Sequence, residues 1–137
     1  MIRLSEDLRR QIEEHAVRDY PYECCGALLG DFAGGDKNVQ LLKPLENVHE
    51  DGHERRFLIS PEQMFRLERN SRSGGLKILG FYHSHPDHPA RPSEYDREWA
   101  WPWYSYVILS VQGGKPEEMT CWNLNEDRGS FTQEPIA

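Results

Sequence analysis

Near the start of the chain apolar residues fall at steps of four, Leu8, Ile12 and Ala16, behind a Ser5 that suits a helix N-cap and the acidic pair Glu6 and Asp7. This spacing predicts an amphipathic helix over residues 6–19, ended by Pro21. The pattern then changes. Cys24 to Gly30 and Val39 to Leu42 are short apolar runs of strand length around an Ala33-Gly34-Gly35-Asp36 turn. Residues 44–55 are polar and predict a loop, and Arg56 to Ile59 a short strand. Ser60-Pro61-Glu62-Gln63 has the form of a capping box with Pro at the first helical position, so a second helix starts there and ends near Ser71 to Gly75. Beyond it, Leu76 to His85 predicts a strand, Pro86 to Pro92 a loop and Ser93 to Ala100 a short third helix. Tyr104 to Gln112, Met119 to Asn125 and Ser130 to Glu134 predict closing strands, the first two joined across Gly113-Gly114. Helices and strands are mixed along the chain with short links, which places the fold in the α/β (α+β) class.

Composition narrows this picture. A chain of 137 residues, 37% hydrophobic and 11% aromatic, is expected to build one domain over residues 1–137 around one core. A formal charge of −7 offers no basic patch for phosphates, so no nucleic-acid partner is expected. The longest apolar runs are too short to span a bilayer, and the charged opening lacks a signal-like stretch. Cys24, Cys25 and Cys121 are odd in number and two are adjacent, a poor disulfide framework that suits a reducing cytoplasm.

The chemistry concentrates at one strand end. His83 and His85 close the apolar run Ile78-Leu79-Gly80-Phe81-Tyr82, and residues two apart on a strand share a face. Both imidazoles can therefore converge on one point. If Ser93 caps the third helix, Asp96 lies in its first turn and its carboxylate can reach back toward them. Two imidazoles and a carboxylate make an N,N,O set suited to Zn²⁺ with a fourth position open, as catalytic rather than structural zinc sites have. Glu23, at the head of a strand with buried character, is the candidate general base, and Ser93 the candidate hydroxyl donor to an oxyanion.

The run His83-Ser84-His85, seven residues, Ser93, two residues and Asp96, with Glu23-Cys24-Cys25-Gly26 upstream, resembles the signature of the JAMM (MPN-plus) metallopeptidases, and the likeness extends from about residue 4 to residue 124. The resemblance implies a curved, mixed β-sheet flanked by helices, similar to the cytidine deaminases, and one Zn²⁺ per chain. It also implies hydrolysis of an amide or isopeptide bond, often after the C-terminal Gly-Gly of a ubiquitin-like protein. The chain has little room for ubiquitin-gripping insertions and resembles the short prokaryotic branch, some members of which trim sulfur-carrier proteins.

Rival assignments compete for the same residues. A non-catalytic MPN-type interaction scaffold would be expected to lack some ligands, and this chain lacks none. His49-Glu50-Asp51-Gly52-His53 satisfies the His-Glu-x-x-His pattern of zincin proteases, but Gly52 and the absence of an apolar face make that segment poor helix, so the match is read as coincidence. Cys24 and Cys25 are expected in a strand core, because the spaced Cys-x-x-Cys of zinc deaminases is missing. Most of Trp99, Trp101, Trp103, Tyr104 and Tyr106 are expected to pack the core, with one or two walling a substrate groove. His88, in the loop beside the site, is expected to be exposed.

Overall fold

The computed structural model describes residues 1–46 and 61–137. The His49–His53 pattern, the predicted strand at 56–59 and the Ser60 cap lie outside the described residues. Helix α1 (Glu6–Asp19) has the predicted bounds, with the Ser5 hydroxyl accepting from the Leu8 amide at 3.2 Å. Strands β1 (Ile2–Arg3), β2 (Cys25–Ala33) and β3 (Asp36–Leu45) follow the turn chemistry, Gly34 and Gly35 both taking the positive φ that the β2–β3 turn requires. Beyond the undescribed segment come α2 (Pro61–Ser73), β4 (Lys77–Pro86), α3 (Glu94–Trp99), β5 (Ser105–Gln112), β6 (Lys115–Leu124) and β7 (Phe131–Glu134).

Among the described residues these strands form a single sheet in the order β1-β3-β2-β4-β5-β6-β7. It is mixed: β1 with β3 and β4 with β5 are parallel, the other pairings antiparallel. Several bounds differ from the sequence reading. β3 runs on to Leu45, into what the polar pattern gives as loop, and β4 continues through Pro86, which pairs with Val111 rather than stopping the strand. β6 starts at Lys115, because its exposed first residues are recruited by backbone pairing to β5 rather than by burial.

α1 packs on one face of the sheet, burying Leu8, Ile12 and Ala16 against Ile2, Leu28, Leu79, Val107 and Leu109. α2 packs on the other, with Leu67 against Ala27, Leu29, Ile78 and Phe81. One irregularity decides which residues of β4 reach that second face. Leu28 pairs with Gly80 and Leu29 with Ile78, so Leu79 is bulged out of register. Ile78 and Phe81 thus lie on the α2 face although they are three apart, and by alternation His83 and His85 follow Phe81 there while Tyr82 and Ser84 face α1. Beside the bulge β4 crowds β5: a Cβ on Gly80 would stand 1.9 Å from the Ser105 carbonyl oxygen, so only glycine fits.

Candidate metal centre and its pocket

The sheet brings His83 and His85 to the end of its central strand, and α3 brings Asp96 to meet them. His83 Nε2 lies 3.1 Å from His85 Nε2 and 3.3 Å from Asp96 Oδ1; His85 Nε2 lies 3.1 Å from Asp96 Oδ2. The three donor atoms are close enough to share one metal ion. All three side chains are buried, at 8% exposure or less.

Two devices hold this arrangement. The first is a reciprocal cap at the start of α3. The Asp96 amide donates to Ser93 Oγ at 3.0 Å, and Asp96 Oδ2 accepts from the Ser93 amide at 2.9 Å. The second is the loop from Asp87 to Pro92. His85 Nδ1 lies 2.9 Å from the Pro89 carbonyl oxygen, an acceptor only, so Nδ1 carries the proton and Nε2 presents its lone pair. The loop is itself pinned: Asp87 accepts from the Gly113 amide and the Tyr20 hydroxyl, each at 2.8 Å, while Ser110 and Thr120 donate to the His88 and Ala90 carbonyls, each at 2.6 Å.

Electrostatics suit a cation. Burial lowers the His83 imidazole from its ordinary value, against the pull of Asp96, which favours the neutral, ligating form. Burial pushes the Asp96 carboxyl up, but the two imidazoles outweigh it and hold the group well below the usual carboxylate range. An anionic carboxylate between two imidazoles is the donor set zinc takes in hydrolytic sites.

Glu23 is buried at 3% exposure just before β2. Its position is fixed through its neighbour: the Cys24 amide donates to Ser84 Oγ at 2.9 Å, and the Ser84 amide to the Cys24 carbonyl at 3.2 Å. With Cys25 opposite His83, the register continued by two residues sets Glu23 opposite His85. Cys24 and Cys25 are buried, burial raising the Cys24 thiol to about 12 and Cys25 further. Ser93 is exposed at the start of α3, and His88 is exposed, as expected of that loop residue.

A cavity of about 500 Å³ opens beside the ligands, sharing His83 and Asp96 as walls. Phe81, Tyr106, Ile108 and Phe131 also line it, and Phe65, Trp99 and Trp101 line it while 53–62% exposed. The expectation that most aromatics after the third helix pack the core is therefore corrected. Trp99, Trp101 and Trp103 are half-exposed or more, while Tyr106 is buried. Composition cannot say whether a neighbour covers an aromatic, and among the described residues nothing fills the space between α2 and α3. Sequence reasoning also missed the Pro89 carbonyl and the Asp87 anchor. The only local sign of the latter was an Asp in a Pro-bounded loop; Asp87 takes φ 58°, which Asp tolerates better than most residues.

A mixed sheet whose central strand ends in two imidazoles facing a helix-borne carboxylate is the architecture of a JAB1/MPN-type domain. The model of a family described as prokaryotic homologs of the JAB domain matches residues 5–125, and the chain belongs to that family, within the JAMM zinc metallopeptidases. It is 36% identical over 115 residues to a desampylase of Haloferax volcanii, covering 80% of this chain and 81% of that one. Identity to a CysO-cysteine peptidase of Mycobacterium tuberculosis is 30% over 131 residues, covering 95% and 86%. A solution structure of a Desulfitobacterium hafniense protein superposes with a TM-score of 0.86 at 32% identity over 100% of this chain and 92% of that one. A JAB1/MPN domain protein from Archaeoglobus fulgidus, 20% identical, shares the fold with a TM-score of 0.59 over 100% of this chain and 97% of that one.

Proposed function

We propose that this chain is a zinc-dependent isopeptidase that hydrolyses the amide bond at the C-terminal Gly-Gly tail of a ubiquitin-like or sulfur-carrier protein. Residues 1–137 act in this reading as one JAMM domain holding one Zn²⁺ on His83, His85 and Asp96. The observation that carries it is the meeting of His83, His85 and Asp96, one ligand atom from each within 4.8 Å of the others, with the buried Glu23 just before the strand paired to β4. The desampylase and CysO-cysteine peptidase relatives support the substrate class. Three buried free thiols support a reducing compartment such as the cytoplasm, and among the described residues no helix is long and apolar enough to cross a membrane.

Zinc, when bound, supplies a Lewis acid that acidifies water and polarises a carbonyl. The chain's own residues do the rest. The Pro89 carbonyl holds His85 in the tautomer that ligates through Nε2. Glu23 takes a proton from the attacking water and passes it to the leaving amine. Ser93 Oγ uses a lone pair to cap α3, which leaves its O–H free to donate to the oxyanion, so the two roles suggested for it are compatible.

The test is hydrolysis of a Gly-Gly-linked ubiquitin-like conjugate by zinc-loaded wild type and Glu23→Gln. We expect the variant to keep its zinc and lose turnover by at least ~10²-fold, the scale of a general base. Near-normal turnover would remove Glu23 from the mechanism, and no hydrolysis by zinc-loaded wild type of any such conjugate would remove the proposed activity.

A further inference from the structure

The carboxylate of the metal centre arrives on an element with little hold of its own. α3 is six residues long, and none of its residues is fully buried. A helix of that length does not hold itself in water, and the burial of an apolar face that usually sustains a helix is slight here. Its N-terminal end is fastened by the Ser93–Asp96 cap. What fastens the other end decides whether Asp96 stays aimed at the imidazoles.

The turn between β6 and β7 supplies that fastening. Arg128 Nη2 lies 2.9 Å from the Ala100 carbonyl oxygen and 3.5 Å from that of Glu98, two of the carbonyls that the end of α3 leaves without a helical donor. A cation at a helix C-terminus is also favoured by the helix dipole. The hold is returned: Arg97, the residue after the ligand, donates through Nη1 to the Arg128 carbonyl at 2.9 Å, and its guanidinium is steadied by Glu94 at the start of α3. Each arginine thus donates to the backbone of the other's element. A further tie, from the Trp101 amide to the Tyr106 hydroxyl at 2.7 Å, fastens the chain after the helix and none of the helix's own carbonyls.

Arg128 also stands where its backbone is costly. It takes φ 61°, in the left-handed region that glycine enters freely and arginine does not. Gly129, next to it, does not take that conformation. The turn therefore puts arginine, and not its glycine, at the position that suits glycine, and a side chain in use accounts for the choice.

We propose that Arg128 is a positioning residue of the metal centre: with Arg97 it latches the C-terminal end of α3 to the β6–β7 turn and keeps Asp96 presented to His83 and His85 before an ion arrives. The latch rests on the zinc reading and adds to it a residue that belongs to none of the ligand-bearing elements.

The test is zinc affinity, by competition with a chelator of known strength, together with amide hydrogen exchange of the metal-free protein, in wild type, Arg128→Gly and the double variant Arg97→Ala/Arg128→Gly. Glycine suits φ 61°, so Arg128→Gly removes the guanidinium without straining the turn, and its denaturant midpoint is expected not to fall below wild type. We expect zinc to bind at least about fivefold more weakly in Arg128→Gly, the scale of one hydrogen bond, and more weakly still in the double variant. The Arg97 and Ala100 amides, which close α3 onto Ser93 and Asp96, should exchange at least about threefold faster, while Val107 and Leu109 on β5 keep their wild-type rates. By charge alone, removing a cation near a dication would tighten zinc binding, the opposite sign. Affinity equal to wild type or tighter, or unchanged exchange in α3, would overturn the latch. So would a fall in midpoint matching the loss of affinity, which would make Arg128 a residue of the fold alone. Wild type that takes up no zinc on reconstitution would remove the zinc reading, and the latch with it.

Discussion

The two faces of the sheet are built from the same strands and finished in opposite ways. Against α1, aliphatic side chains close the face, and Ile2, Ile12, Leu28, Leu79 and Val107 are fully buried. Against α2 and α3, Ala27, Leu29 and Phe81 begin a core that then stops, leaving about 500 Å³ open beside His83 and Asp96 with half-exposed tryptophans at its mouth. On the first face the hydrophobic effect is satisfied within the chain. On the second, apolar surface is left uncovered among the described residues, next to the His83, His85 and Asp96 cluster. Stability and chemistry therefore occupy opposite faces, and substitutions can separate them.

The largest separation is expected at the metal. We expect one zinc per chain in wild type, all of it lost with hydrolysis in His83→Ala and kept in His49→Ala, by elemental analysis after reconstitution. Loss only in His49→Ala would move the site to the His-Glu-x-x-His segment. Next comes a change confined to the closed face. Ile12→Ala should destabilise the fold by about 2–5 kcal/mol in denaturant unfolding, the usual cost of an Ile-to-Ala cavity, while kcat and KM at low temperature stay near wild type. A comparable loss of zinc in that variant would show that the faces are not independent.

The smallest expected effect concerns His15, buried on α1 with Nδ1 2.7 Å from the Tyr82 hydroxyl and Nε2 3.2 Å from Asp19. Burial lowers its pKa despite Asp19, so the folded state binds a proton less readily than the unfolded chain, whose value is near 6.5. The resulting stabilisation is full above about pH 6.5 and is lost as pH falls below that value toward the lower folded one. Thermal melts from pH 7.5 to 5 should show wild type losing more than His15→Gln, by less than the cavity variant loses at any pH. Equal slopes would sink the assignment.

These contrasts also explain what the sequence could reveal. α1 is legible to the residue because its cap and its four-residue steps are local. β1 is only Ile2–Arg3, recruited by parallel pairing to β3 more than thirty residues away, and no local pattern announces it. The five candidate site residues were readable because each bears a reactive side chain at a fixed spacing. Their supports were less so: the Pro89 carbonyl is backbone, the Leu79 bulge is a register shift, and Ser84 fixes Glu23 through the Cys24 amide. The exposed tryptophans misled because hydrophobicity predicts a preference for burial, whereas the structure decides whether anything is there to bury against.

The reciprocal cap of α3 has a consequence for how readily a metal ion can be captured. Asp96 Oδ2 answers the Ser93 amide in the same geometry that points the carboxylate at the imidazoles. The rotamer freedom of that side chain is thus surrendered when the helix nucleates, not when an ion arrives, so preorganisation of this donor sits on the folding side of the linkage. An ion entering the centre meets a carboxylate already aimed, and tight capture needs correspondingly little rearrangement of the chain.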